Sequence, residues 1–189
     1  MKKFVALFTD SYRELKSVRT ITTMAMLAAI AIILGMFSIE YGNFIRIGFS
    51  SIPNGIIAYL FGPTVGGIFS GTLDIIKYIL KPTGPFCPQL TLVTMLAGVM
   101  YGCMYYKKKL TLPRVLATKF IVMLVCNVFL NTIAMVIMGY FAPEVFWVKI
   151  TTRIVKNLTM LPIEVFILLL VLYPVMVAYR AAFRQKRSA

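Results

Sequence analysis

The sequence predicts an all-α integral membrane protein, a single bundle of six transmembrane helices with both termini cytoplasmic. Three observations carry that prediction. The intervals 20–39, 47–73, 82–106 and 120–143 contain no Asp, Glu, Lys or Arg. A helix crosses a bilayer with about 20 mostly apolar residues, because hydrocarbon offers its backbone no partner outside the helix. The chain is 60% hydrophobic and only 14% charged over 189 residues, too little polar chain to cover four such intervals in a water-soluble core. Most of its twenty cations stand in three places. Lys2, Lys3, Arg13, Lys16 and Arg19 open the chain; Lys107, Lys108, Lys109, Arg114 and Lys119 interrupt it; Arg180, Arg184, Lys186 and Arg187 close it. Lys and Arg concentrate on the cytoplasmic side of membrane proteins. Six crossings put all three clusters there, whereas an odd number strands one outside.

Residues 1–19 read as a cytoplasmic amphipathic lead-in whose Phe4, Val5, Leu7 and Phe8 can lie on the membrane surface. Residues 20–179 form the bundle and 180–189 a basic cytoplasmic tail, with no second domain. The first span covers about 20–37 and ends in an external loop, 38–49, that carries Glu40 and Arg46. A second span, about 51–60, returns inward, and Phe61-Gly62-Pro63-Thr64 marks a tight turn. That span is short for a bilayer and needs tilt, local thinning or extension into its flanks. The third span, about 66–80, goes outward to a loop at 81–88 whose three prolines exclude regular helix. The fourth, about 90–106, comes back to the lysine cluster. The fifth, about 113–138, leads out to the loop 139–147, and the sixth, about 148–179, returns to the tail.

Several function classes are excluded at once. A net charge of +14 suits nucleic acid, but its clustering is a topology signal with attraction to anionic lipid. No nucleic-acid partner is expected. The first apolar run is too long, and lacks the small-residue closure, for a cleaved signal peptide. Histidine is absent, and Cys87, Cys103 and Cys126 are widely spaced, so no metal or cofactor is expected and the cysteines read as apolar filler. There is no G-x-x-x-x-G-K-[ST] sequence to hold a nucleotide, and no Ser/His or Cys/His nucleophile pair. The chain is not expected to be an enzyme. Nor does it show the matched halves of secondary transporters. It reads as the binding part of a larger machine.

Asp74, Lys77, Arg153, Lys156 and Glu164 fall inside expected spans, where ionisable groups face a cavity or pair with each other. Asp74 and Lys77 are three apart on one helix face, and Arg153, Lys156 and Asn157 also share a face. Both groups sit toward the outer half of the membrane, level with Arg46. One reading is snorkelling and internal ion pairing. The other is an outward-facing site for a solute with anionic and hydrogen-bonding groups, with Arg153 and Lys156 attracting carboxylates and Asp74 accepting from ligand N–H groups. Glu164 lies deeper and suits either a structural pair or a ligand contact. Asn127 and Asn131 share a face, to hold helices together or to touch ligand. Small residues four apart, Ala25/Ala29, Ala31/Gly35, Gly67/Gly71 and Gly98/Gly102, allow close helix approach. Internal packing is one use of them; the broad alanine face of the first span also suits a partner protein.

The order and spacing of these pieces resemble the substrate-binding components of energy-coupling factor (ECF) vitamin transporters, particularly the folate-specific members. The resemblance runs from about Ser17 to Tyr173. It rests on Ser17-Val18-Arg19-Thr20 before an alanine-rich span, Arg46-Ile47-Gly48-Phe49 leading to Pro53, and Phe61-Gly62-Pro63. Gly67 and Gly71 ahead of Asp74, then Thr91-Leu92, Gly98 and Tyr101-Gly102 continue it. Asn127, Asn131-Thr132 and Arg153 through Lys156-Asn157 to Pro162 complete it. Where the family usually has Pro-Gly-Phe-Thr-Leu, this chain has Pro88-Gln89-Leu90-Thr91-Leu92.

The resemblance implies a six-helix subunit of a bacterial cytoplasmic membrane that binds folate from outside. It implies docking on a transmembrane coupling subunit through Ala25, Ala28 and Ala29, with two ATPases as the energy source and toppling in the bilayer as the release step. Carried over by position, the ligand-facing residues are Arg46, Asp74, Asn131, Arg153, Lys156 and Asn157. Folate suits them physically: an Asp74 carboxylate and an aromatic neighbour bind a flat pterin with N–H donors, and the two carboxylates of its tail suit Arg46, Arg153 or Lys156. The same logic admits riboflavin, thiamine or another flat vitamin, and a stand-alone facilitator remains the alternative to a transporter subunit.

Overall fold

The computed structural model describes residues 2–36, 39–41, 45–47, 51–80, 86–108, 111–139, 144 and 146–185. The expected loop segments 81–85 and 140–143, together with Lys109, Lys186 and Arg187, lie outside the described residues. Helix α1 covers Lys2–Glu14 and α2 covers Val18–Met36. On α2, the Thr22 and Thr23 hydroxyls donate back to the Val18 and Arg19 carbonyls, which satisfies them without water. The loop expected next contains two short antiparallel strands, β1 (Ile39–Tyr41) and β2 (Ile45–Ile47). They pair Glu40 opposite Arg46. An all-helical reading missed them because three residues are too few to show an alternating pattern.

Helix α3 (Ser51–Phe61) and α4 (Pro63–Leu80) meet at Gly62. Gly62 has φ +91°, a left-handed value natural to glycine, and Pro63 opens α4 where a missing N–H costs nothing. The turn is clamped from outside. Ser11 of α1 donates its hydroxyl to the Phe61 carbonyl at 2.7 Å and accepts from the Thr64 and Val65 amides at 3.1 and 3.2 Å. One side chain thus serves the end of α3 and the start of α4. The lead-in is therefore packed on the bundle, and Asp10 ties it further to Lys107 at 2.6 Å.

Helix α5 (Pro88–Tyr105) lies along α4. A carbon added at Gly98 would stand 2.3 Å from the Gly66 carbonyl oxygen, and one added at Gly102 would stand 2.3 Å from Pro63 Cα. The two backbones touch. Gly67 and Gly71 receive the Val99 and Met95 side chains of α5, so the glycine pairs of the third and fourth spans both lie in the α4–α5 seam inside the bundle.

The expected fifth span is one run of helix. It comprises α6 (Leu112–Val122), a π-helical stretch (Met123–Leu130) and α7 (Asn131–Ile137). Helix α8 (Phe146–Gln185) is 40 residues long with Pro162 and Pro174 inside it. At about 60 Å it exceeds the hydrocarbon thickness, and membrane helices tolerate such prolines. Val18–Gly35, Leu112–Ile137 and Phe146–Val171 are long and apolar enough to cross a membrane. Helix α3 reaches only about 16 Å, and α4 dilutes its apolar residues with glycines, Asp74 and Lys77. The fold is that of a helical, multi-pass membrane protein. Its core has two parts. One joins Ile52, Tyr101, Val122, Cys126 and Leu168 across α3, α5, α6, the π stretch and α8; the other joins Ala31, Ile57, Val65 and Phe69 across α2, α3 and α4.

Candidate ligand-binding site

Connectivity sorts the helix ends into two groups. The Gly62 turn and the α5–α6 connection meet α1 at one end, through Ser11 and Asp10. At the far end α2 gives way to the β-hairpin, α4 to α5, and α7 to α8. The polar residues expected to bind ligand stand within a few turns of that far end.

They form two hydrogen-bonded groups. Asp74, half-buried in the last two turns of α4, accepts from Thr91 Oγ1 of α5 at 2.8 Å. Thr94, next on α5, donates to the Thr91 carbonyl. This fixes a carboxylate oxygen while leaving the rest of its acceptor capacity for a donor. The second group centres on Arg153, also half-buried. Its guanidinium donates to Asn131 Oδ1 at 3.0 Å and approaches the Asn127 carbonyl oxygen at 3.4 Å and Met135 Sδ at 2.9 Å. An Arg⁺ bonded to a neutral amide, a backbone oxygen and a thioether keeps its charge uncompensated by these partners, and suits a carboxylate. The π-helical stretch brings Asn127 and Asn131 to the same guanidinium, and such stretches are frequent at functional sites.

The remaining candidates divide. Asn157 donates one amide N–H to the Arg153 carbonyl at 2.9 Å, a bond within its own helix that leaves its second N–H and its carbonyl oxygen to offer. Lys156 is half-buried on the same helix. Arg46 lies on β2, opposite Glu40 in the backbone register. Lys77 does not follow Asp74 toward α5, for its stem lies 3.6 Å from a carbon added at Gly35 of α2. The first-span alanines also divide. Ala25 and Ala29 are exposed, beside exposed Ile21, Met26, Ile30 and Ile33, whereas Ala28 and Ala31 belong to the internal cluster.

One expectation is corrected and one open reading is narrowed. Lys119, counted among the cytoplasmic cations, is buried in α6 and donates to Glu164 Oε2 at 2.8 Å. Its ammonium also lies 5.8 Å from the Tyr101 ring centre. Sequence counts a cation without seeing that a partner 45 residues away faces it. Glu164 is thereby a structural partner, removed from the far-end group. Thr91, which orients Asp74, and Met135 beside Arg153 were not singled out as site residues. A hydroxyl one turn into the helix facing an intramembrane carboxylate was the available signal.

Comparison with known proteins gives a family and close likenesses. The family model for the substrate-specific component of ECF transporters matches residues 19–173. A protein of Clostridium novyi (strain NT) named folate transporter FolT is 32% identical over 154 residues, covering 82% of this chain and 88% of that one. A protein of Leuconostoc mesenteroides subsp. mesenteroides with the same name is 30% identical over 150 residues, covering 78% and 80%. Among solved structures, a crystal structure of FolT bound with folic acid superposes with a TM-score of 0.71 at 29% identity, covering 80% of this chain and 91% of that one.

Proposed function

The chain belongs to the substrate-specific components of ECF transporters, and from that premise we propose that it captures folate outside the cell and delivers it inward when docked on an energising module. The observation that carries the ligand assignment is the pairing of two unlike polar groups at one end of the bundle. Asp74, held by Thr91, offers an acceptor for pterin N–H groups. Arg153, held by Asn131, offers a cation for the tail carboxylates. The folate transporters and the folic acid complex that the chain resembles support the same ligand.

In this reading six helices cross the membrane with both termini cytoplasmic, and the far end of the bundle faces outward. Arg46, Asp74, Asn131, Arg153, Lys156 and Asn157 face the ligand. The exposed Ala25 and Ala29, with Ala28 beneath them, receive a helix of the transmembrane coupling subunit, because only small side chains allow that approach. Two ATPase subunits supply the energy, in keeping with a sequence that carries no G-x-x-x-x-G-K-[ST] motif.

Calorimetry on the purified chain tests the ligand: folate should bind at one site without nucleotide. Saturable riboflavin or thiamine binding in its place overturns folate and leaves the family standing. Docking is tested with Ala29→Trp in the assembled complex, which should abolish ATP-driven uptake while the isolated subunit still binds. Loss of both together means that the alanine face supports the bundle instead.

A further inference from the structure

Two polar links tie α8 to the helical run before it, and both leave from one face of α8. Glu164 follows Arg153 by 11 positions, in a helix that contains Pro162 without being interrupted by it. At about 100° per residue, the two side chains leave α8 within about 20° of each other. Their partners, Lys119 and Asn131, are 12 positions apart. A regular α-helix would set those two about 120° apart, so that they could not both face α8. Both do. Lys119 donates to Glu164 at 2.8 Å, and Asn131 accepts from Arg153 at 3.0 Å.

The π-helical stretch Met123–Leu130 lies between the two links and removes the mismatch. Its bonds reach back five residues where those of an α-helix reach back four, so it takes up one surplus residue. The Asn131 amide accordingly bonds the Cys126 carbonyl. In α register the Leu130 amide would reach that carbonyl, and Leu130 would stand on the face where Asn131 now stands. The same shift takes the Asn131 amide away from the Asn127 carbonyl, its α-helical acceptor. That carbonyl oxygen is the one 3.4 Å from the Arg153 guanidinium. The surplus residue thus gives Arg153 two neutral acceptors, one by phase and one by release. The two links also differ in firmness. Lys119 is only 5% exposed, and a buried ammonium that loses its carboxylate is costly. Val122 and Cys126 share a core cluster with Val165 and Leu168 of α8. A change of phase is therefore resisted on the Lys119 side and falls on Asn131.

We infer that the Lys119–Glu164 pair and the surplus residue of the π stretch are positioning elements for Arg153. The pair fixes the phase of α6, and the surplus residue carries that phase to α7. Arg153 is then oriented by neutral partners, with its charge open to an anionic tail. This rests on the folate reading and adds what aims the tail-binding cation, from about 16 Å away along α8.

The test changes the length of this helix in the full chain in detergent, by deleting the exposed Val125 or by inserting one alanine after it. Deletion removes the surplus and lets the stretch close as an α-helix with both links made. Folate affinity, measured by calorimetry, should then stay within about 3-fold of wild type, as for a change that breaks no key contact, and the ligand-free melting temperature should hold. Insertion adds a second surplus residue and turns Asn131 away by about 100°. Folate affinity should fall by roughly 10- to 100-fold, the scale for a lost hydrogen bond to a charged group. A pterin without the glutamate tail should bind almost as it does to wild type. In Lys119→Met combined with Glu164→Leu, where the buried pair no longer holds α6, the same insertion should cost folate less.

A deletion as harmful as the insertion overturns the inference, because a regular α-helix would suffer from both alike. So does an insertion that leaves folate affinity intact, that weakens both ligands equally, or that costs as much without the ion pair. Wild-type protein that binds no folate brings down the folate reading by itself. The melting temperatures then decide the register alone: they should hold on deletion and fall on insertion, and the reverse order contradicts it.

Discussion

Where α4 meets α5, backbone touches backbone through Gly66, Gly98 and Gly102. Where α6 and α7 meet α8, side chains bridge the gap, Lys119 to Glu164 at 2.8 Å and Arg153 to Asn131 at 3.0 Å. The glycine seam sets a fixed distance and leaves nothing to exchange. The bridged side is held by bonds that can change partners: a guanidinium on a neutral amide can trade it for a carboxylate, and a neighbouring π-helical turn can adjust. The first half suits recognition of a rigid ring, and the second suits capture of a flexible anionic tail.

Glu164 is where the bridged half breaks most easily. Glu164→Ala leaves the Lys119 ammonium buried without its carboxylate, at a cost of about 3–5 kcal/mol. Denaturation in detergent should show that loss, and Lys119→Met combined with Glu164→Leu should recover most of it. A double variant as unstable as the single one would mean that the pair is not what joins α6 to α8. In the glycine half the corresponding change is Gly98→Ala, whose new carbon collides with backbone atoms that cannot rotate away. About 1–3 kcal/mol is expected, or more, with overpacking as the cause. Full stability in that variant would show that the seam can open.

Smaller effects come from the α1 clamp. Ser11→Ala removes the shared partner of the Phe61 carbonyl and the Thr64 and Val65 amides, worth about 1–3 kcal/mol. The Asp10–Lys107 bridge is exposed and screened, and its effect is smaller still. Hydrogen bonding by Lys107, then its charge, holds the Asp10 carboxyl below its usual range. The hydrogen bond that Lys107 donates to Asp10 in turn holds its ammonium above its own range. A lowered carboxyl contributes above its ordinary value and loses that contribution as pH falls through the folded value; a raised ammonium contributes below its ordinary value and loses it as pH rises through the folded one. The melting curves of wild type and Asp10→Asn should therefore differ slightly near neutral pH and converge in acid. A difference that persists in acid points to another role for Asp10.

The contrast between the halves was partly legible in the sequence. The uncharged intervals mark the helices, Gly62-Pro63 marks the turn, and the four-residue glycine spacing marks a close seam. Asp74 and Arg153 stand out because charge is rare at membrane depth. Pairings were not legible, because they depend on helix rotation. Lys119 reads as one more basic residue until α6 turns it toward Glu164, and Ser11 reads as an ordinary surface serine until α1 folds onto the Gly62 turn. The alanine face was legible as a pattern, and exposure separates Ala25 and Ala29 from Ala28 and Ala31.

The division of labour between the halves is tested most directly by calorimetry of Asp74→Ala and Arg153→Ala against two ligands, folate and a pterin without the glutamate tail. Each variant should lose about 2–5 kcal/mol of folate binding, the scale for truncating one partner of a desolvated charged contact. Asp74→Ala should lose the tail-less pterin as well, whereas Arg153→Ala should bind it almost as the wild type does. Equal losses for both ligands in both variants would contradict the account, and would make the two residues common supports of one undivided site.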